Sequence, residues 1–382
     1  MTSRPTVLAS IVLALALLGD SLLYAVLPLH ATTFGVSLAW VGVLLSANRI
    51  VRLFAYPLLP RVAATGLRRF TITAAAAGTL STLVFAFGRG ASVLLASRLA
   101  WGIVFGALSL STLAYATERS ESAGKHVGLS LSVRELGPLF ALTCGTAGVV
   151  ALGVRASLAV LGVMSFAGVF VAMLLPDPGM PGAEKPASVM PRRRTVQWLS
   201  FVSGFVTDGI FPATIGLLLA RSTGLGAAVF GTGLLLALKR LAIVVLAPIG
   251  GHAADRYGAG VVTAAGFAIA AVGATAIGFD QAIAGAVLLS CGAAVTTTTI
   301  PAAAAAGRRE ERVGAIALNG MTRDAGAALG PLVALALFHA AGAAGTYGMT
   351  ALLLSACSLL PLRERRATEP ETPICGDADL MY

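Results

Sequence analysis

Residues 130–142, SLSVRELGPLFAL, set Arg134 and Glu135 side by side inside an otherwise apolar run. A charge at the centre of a bilayer costs about 2.5–3.5 kcal/mol even on the lenient insertion scale, so the pair is anomalous only if the run crosses a membrane. The rest of the chain says that it does. Of 382 residues, 57% are hydrophobic and 12% charged, against about 25% charged in a soluble chain. Mean hydropathy is +0.87. The charges gather in short blocks between long apolar runs. A span needs roughly 20 apolar residues, and such runs fall at 7–29, 38–60, 70–88, 91–115, 127–150, 155–175, 196–220, 226–250, 259–279, 281–306, 313–340 and 343–362. Backbone groups in lipid must be satisfied within the segment, so these runs are expected to be helices. The first is not a signal peptide. It continues through Asp20 to Pro28 instead of ending at a small-residue cleavage site, and eleven similar runs follow it.

The formal charge of +10 reads as topology and not as a nucleic-acid surface. With the N-terminus inside and the runs alternating, 17 Lys and Arg fall on the cytoplasmic side and only Arg89, Arg155 and Arg221 outside. The positive-inside rule then places both termini in the cytoplasm. The alanine- and glycine-rich helices and short loops suit a bacterial inner (plasma) membrane. Cys144, Cys291, Cys357 and Cys375 show no metal-ligand spacing and imply no disulfide framework. No metal and no cofactor is expected.

The charges also repeat. Asp20 recurs as Asp208, Asn48–Arg49 as Lys239–Arg240, Pro57 as Pro248, Arg134–Glu135 as Arg323–Asp324, and Gly137–Pro138 as Gly330–Pro331, all at offsets of 188–193. Polar residues are rare in spans, so these coincidences define a parallel repeat of two six-helix halves. The expected fold is an all-α membrane protein with 12 transmembrane helices in two pseudo-symmetric halves. Residues 1–175 form the first half and 196–362 the second. Residues 176–195, charged and Pro-rich, form a cytoplasmic linker, and 363–382 a disordered cytoplasmic tail.

This arrangement resembles the major facilitator superfamily. GHAADRYGAG, 251–260, looks like its cytoplasmic loop motif, with Gly251, Asp255, Arg256 and Gly258 in place. RLAWGIVFGA, 98–107, looks like its Arg-x-x-x-Gly motif, with Arg98, Gly102 and Gly106. GAALGP, 326–331, resembles part of the motif associated with antiporters, although in the family that motif sits in the fifth helix, where this chain keeps only Gly137–Pro138. The first-half copy of the loop motif is eroded, with Ala64 where the second half has Asp255. The resemblance implies helices one, four, seven and ten around a cavity, helices two, five, eight and eleven between the halves, and a branch of drug and metabolite efflux type working as a monomer. Physically, 251–258 is expected to be a tight glycine-bounded loop, with Asp255 accepting from helix N-termini as a latch between the halves.

Eleven ionisable residues lie within the runs: Asp20, Arg49, Arg52, Arg98, Arg134, Glu135, Asp208, Lys239, Arg240, Arg323 and Asp324. Unpaired, they would cost tens of kcal/mol, so they must face one another or a wet cavity. Seven are basic and four acidic, and the surplus points to an anionic or zwitterionic small molecule. Arg134 and Arg323 are placed as a fork for its carboxylate or phosphate. Arg49 and Arg240 are further candidates, expected to bridge Asp20 and Asp208 within each half. Trp101 is a candidate substrate contact, and Arg52 and Lys239 are expected to snorkel. No Walker motif is present, which leaves ion coupling, with Asp20, Glu135, Asp208 and Asp324 as proton carriers and Arg98 grouped with them. The sequence thus describes a proton-coupled secondary transporter that exports a small metabolite or drug. Alternatives are an uptake symporter for an organic anion and a non-transporting membrane sensor or assembly protein. No nucleophile–base pair marks an enzyme.

Overall fold

The computed structural model describes residues 4–63, 65–117, 123–176, 194–305 and 312–368. Regular structure among them is helical throughout. In chain order the long helices are α1 (Arg4–Val26), α2 (Leu38–Ala55), α3 (Leu67–Phe87), α4 (Ala91–Thr117), α5 (123–152), α6 (Val154–Met173), α7 (Arg194–Ser222), α8 (Leu225–Tyr257), α9 (Ala259–Gly278), α10 (Ala282–Ala305), α11 (312–341) and α12 (343–368). The last two share a continuous helical run of 57 residues, Arg312–Thr368. A straight helix of that length would reach about 85 Å, nearly three times a hydrocarbon core. Gly342 breaks it, with φ 65 and ψ −167, and so returns the chain across the membrane. The chain is a multi-pass membrane protein of the expected architecture.

Several boundaries differ from expectation. The second run stops at Ala55, before Pro57, and a short helix, Leu59–Ala63, follows. Residues 251–257 are not a loop. α8 continues through them to Tyr257, and the turn is confined to Gly258, whose φ of 90 is open to glycine. The final helix runs past 362 to Thr368. Residues 177–193 of the linker and 369–382 of the tail lie outside those described.

Pseudo-symmetry is visible in which helices touch. In the first half α1 packs on α5 and α6, α3 on α4 and α6, and α2 on α4. In the second, α7 packs on α11 and α12, α9 on α10 and α12, and α8 on α10. Even individual contacts repeat. Ser10 donates to Ser130 at 2.9 Å between α1 and α5, and Ser200 donates to the Asn319 carbonyl at 2.9 Å between α7 and α11. At Gly137 a Cβ would stand 1.9 Å from the Ala14 carbonyl oxygen, and at Gly326 one would stand 2.0 Å from that of Phe201. Lipid tails give helices no hydrophobic reason to associate, so close backbone approach through small residues does that work.

The halves meet along α2–α11 and α5–α8, with α1 touching α7 and α8 between them. Several of these contacts lie toward the face opposite the N-terminus. There Leu29 sits 3.3 Å from the Cβ position of Gly216, Val150 lies 3.7 Å from that of Gly226, and the Pro331 carbonyl 3.2 Å from that of Gly42. His30, in the same α1–α2 connection, is partly buried, which lowers its pKa below the ordinary imidazole value.

The two close approaches predict Gly137→Ala and Gly326→Ala to be destabilising by about 1–3 kcal/mol each through overpacking. Gly348→Ala, with nothing within 4 Å, should leave the thermal midpoint of the purified protein unchanged. Equal midpoints for all three would refute this packing.

Candidate functional site

Each half carries one acid on its first helix, and the two are held differently. On α1, Asp20 lies 2.5 Å from Nη1 of Arg98 on α4, whose Nε donates to the Leu44 carbonyl at 3.1 Å. Asn48 on α2 adds a contact of 3.5 Å. On α7, Asp208 sits in a π-helical turn, Gly204–Ile210, a wide turn common at functional positions. Its Oδ1 lies 2.8 Å from Lys239 Nζ on α8, and its Oδ2 lies 2.8 Å from Arg323 Nη2 on α11. Pro212 has no N–H to offer the Thr207 carbonyl five residues back, and Lys239 supplies that hydrogen bond at 2.5 Å. Arg323 Nε also donates to Asp208 at 3.0 Å, while Nη1 donates to the Ser203 hydroxyl at 3.2 Å and Nη2 to that of Thr207 at 3.4 Å.

A second pair of acids lies between the halves. Asp324 on α11 receives Arg49 at 3.3 Å and Arg52 at 3.4 Å, both from α2, and the Tyr56 hydroxyl at 3.4 Å. Glu135 on α5 receives Arg240 from α8 at 3.2 Å and its own neighbour Arg134 at 3.4 Å. Arg49 and Arg240 are repeat mates, as are Asp324 and Glu135, so the two bridges are the same contact made twice.

Four of these groups line a narrow central space of about 30 Å³ between α1, α2, α5, α7 and α8, while Arg134, Glu135, Arg323 and Asp324 are not on its wall. Arg49, Lys239 and Arg240 reach it, with Asp208 as the one acid on its wall. Leu142, Pro212 and Leu236 supply apolar surface. Tyr24 completes the wall. Its hydroxyl accepts from Arg49 Nε at 3.3 Å, and the guanidinium carbons of Arg49 and Arg98 lie 5.8 and 5.9 Å from its ring centre, within cation–π range. The sequence reading missed Tyr24. Its only signal was the four-residue step from Asp20, which puts both on one helix face.

The structure therefore revises the expected pairings. Arg49 and Arg240 do not bridge Asp20 and Asp208 within each half. They cross to the other half, because α2 packs on α11 and α8 on α5, whereas Asp20 and Asp208 turn toward α4 and α11. Arg52 and Lys239 do not snorkel, being 4% exposed each and satisfied by Asp324 and Asp208. Trp101 does not line the space. It is buried within the first half, its ring 3.3 Å from the Cβ position of Gly78 on α3. Of the four-residue threonine run 296–299, three hydroxyls bond back to carbonyls of their own helix. Gly251, Arg256 and Gly258 close the end of α8, where Arg256 lies 5.5 Å from the Tyr257 ring, and the Asp255 side chain lies outside those described.

The arrangement is a 12-helix bundle in two pseudo-symmetric halves, with charged groups gathered at its centre. The sequence model of the Major Facilitator Superfamily matches residues 196–377. Two solved structures share the fold across nearly the whole chain. The human organic anion transporter MFSD10 (TETRAN) aligns with a TM-score of 0.69 at 19% identity, covering 94% of this chain and 100% of that one. A mutant of the nucleoside transporter NupG aligns with a TM-score of 0.72 at 14% identity, covering 96% and 99%. Comparison with curated proteins gives no match. The second half of the chain thus carries the superfamily's sequence pattern, and the chain as a whole shares the fold of these two transporters.

The two ways of holding the α1 and α7 acids predict unequal tolerance. Asp208→Asn strands two cations, one of them Lys239 in near-complete burial, and should destabilise the protein by about 3–5 kcal/mol. Asp20→Asn strands one. Thermal denaturation of the purified variants should rank Asp208→Asn well below Asp20→Asn, and the reverse order would contradict the pairing described.

Proposed function

We propose that this transporter moves a small organic anion or zwitterion by alternating access, coupled to protons and in the export direction. The observation that carries the reading is the charge balance at the centre. Glu135, Asp208 and Asp324 each hold two cations and Asp20 holds one, so seven cations share four carboxylates. A surplus of positive charge in a low dielectric is costly until an anion joins it. The space at the centre has apolar walls and a few convergent polar groups, the lining that small-molecule sites share. The human relative in fold is named an organic anion transporter. That agrees with the reading but does not carry it, since the likeness concerns fold alone.

With both termini cytoplasmic, the face where Leu29, Val150 and Gly42 make contacts between the halves is the outer one. Arg134, Arg240 and Arg323, with 35%, 35% and 22% of their side chains exposed, are the fork offered to a cytoplasmic anion. Asp20 with Arg98, Glu135, Asp208 and Asp324 are the proton-carrying set. Protonation of one of these acids and binding of substrate to the cations it holds are coupled through their shared ion pair. Arg256 and the glycines 251 and 258 terminate α8 at the face that is cytoplasmic in this orientation, the place proposed for a conformational latch.

The test is flux in proteoliposomes under an imposed pH gradient, with small carboxylates, amino-acid-like zwitterions and lipophilic cations as substrates. Antiport accumulates the anion in the acidic compartment, and symport in the alkaline one, which would replace export with uptake. Asp20→Asn or Glu135→Gln should reduce gradient-driven flux roughly tenfold, an effect of about 1.4 kcal/mol. Full flux in both variants would remove proton coupling from these residues. Lipophilic-cation flux that survives Arg134→Ala and Arg323→Ala would overturn the anion reading, and folded protein without flux of any class would favour a non-transporting role.

A further inference from the structure

We propose that the central space is a halide site: in the form described it takes one monatomic anion, chloride in the cell, as a resident counter-ion for Arg49, Lys239 and Arg240. The ion is not the cargo. The inference goes beyond the transport reading and shares with it only the positive centre.

Size selects the guest first. The space is about 30 Å³, and about 10–15 Å³ of such room is enough for a single water. A particle close to water in size fits, and a carboxylate that carries a carbon chain does not. Charge selects next. Three cations and one acid stand on the wall. The acid, Asp208, is already engaged on both oxygens, Oδ1 by Lys239 at 2.8 Å and Oδ2 by Arg323 at 2.8 and 3.0 Å. A cation would be repelled in this low dielectric, whereas an anion lowers a positive surplus that is costly there.

Hydrogen-bond capacity separates a halide from water. An arginine carries five N–H donors and a lysine three. Among the described residues, Arg49 commits Nε to Tyr24 and Nη1 to Asp324, and Arg240 commits only Nη1, to Glu135. Lys239 commits two protons, to the Thr207 carbonyl and Asp208. Spare donors remain on all three. The Tyr24 oxygen accepts from Arg49, which leaves its own proton to give, and the Ser21 hydroxyl on the same wall makes no hydrogen bond among the described residues. Five residues thus bring spare donors to one small volume, and its one carboxylate is taken. Water needs acceptors for its two protons. A spherical anion needs donors alone and takes them from any direction.

These donors converge through departures from the repeat. Lys239 stands where the first half has the neutral Asn48, Ser21 where the second half has Gly209, and Tyr24 where it has Pro212. Ser21, Tyr24 and Arg49 belong to the first half, and Lys239 and Arg240 to the second. The ion therefore bridges the halves at their centre, and binding it stabilises the form in which both walls are this close.

The experiment is thermal denaturation of the full chain in detergent while chloride replaces gluconate at constant ionic strength and constant sodium. The midpoint should rise with chloride and saturate, because a ligand that binds the folded form alone stabilises it, and bromide should act alike. Equal midpoints in chloride and gluconate, or a rise that does not saturate, overturn the proposal. Ser21→Ala and Tyr24→Phe each remove one donor to a charged guest, so each should raise the chloride concentration for half the effect about tenfold. Thr298→Val, which removes a hydroxyl bonded within its own helix, should not. Half-effect concentrations unchanged in both hydroxyl variants overturn the assignment. Crystals grown in bromide give a readout that needs no variant. Anomalous scattering should show a peak bounded by Tyr24, Arg49 and Arg240, and bromide found only at surface arginines overturns the site. Benzoate that stabilises the protein while halides do not overturns this inference alone, and failure of both to bind overturns the anion reading as well.

Discussion

Seven cations held by four carboxylates inside a membrane is the constraint on which the rest of this structure depends. No member of that set is tolerable alone in hydrocarbon. The helices that carry them, α1, α2, α4, α5, α7, α8 and α11, must therefore bring them together, and that fixes which helices face the centre. The remaining helices, α3, α6, α9, α10 and α12, carry none of the set. The apolar composition then follows from the solvent, and the glycine contacts from the need to hold helices together without water to drive them.

The duplication explains the frame, and departures from it explain the site. Two halves with matching contacts place Glu135 and Asp324, and Arg49 and Arg240, in equivalent positions. Asp20 and Asp208 began as equivalents too. One now faces Arg98, and the other faces Lys239 and Arg323 in a widened turn that Pro212 helps to define. Tyr24 and Pro212 are repeat mates on opposite walls of the same space. A symmetric cavity would offer one ligand two equal poses; here one wall gives an aromatic ring with two cations beside it, and the other gives an imino ring and a carboxylate.

The fold was legible because its signal is long-range and redundant. Twelve apolar runs, a one-sided charge distribution and recurring polar pairs each report it independently. The identity of the charged residues was legible for the same reason, since polar residues in spans stand out. Their partners were not. Sequence spacing places Arg49 and Asp20 on adjacent helices, which invites pairing, but the contact depends on rotation of α2 about its axis and on α11 lying beside it. Trp101 misled because position beside Arg98 says nothing about facing. One residue step turns a side chain about 100°, and three steps still leave about 60° between Arg98 and Trp101. The 251–258 segment misled because two glycines suggest two turns, whereas only Gly258 has a backbone that needs one. Tyr24 left no sequence signal beyond its step from Asp20.

The distances also divide the network into parts that hold and parts that yield. Within the halves the best contacts are 2.5 and 2.8 Å and tie α1 to α4, and α7 to α8 and α11. Between the halves the ion pairs are 3.2 to 3.4 Å, past the range of strong charge-assisted bonds. A rocking mechanism requires this ordering. Each half has to move as a body, so its internal pairs must outlast the motion. The pairs that cross the boundary must be weak enough to exchange, yet present enough that no charge is left alone in the low dielectric while they do. Placing an acid of one half opposite a cation of the other, twice, meets both demands.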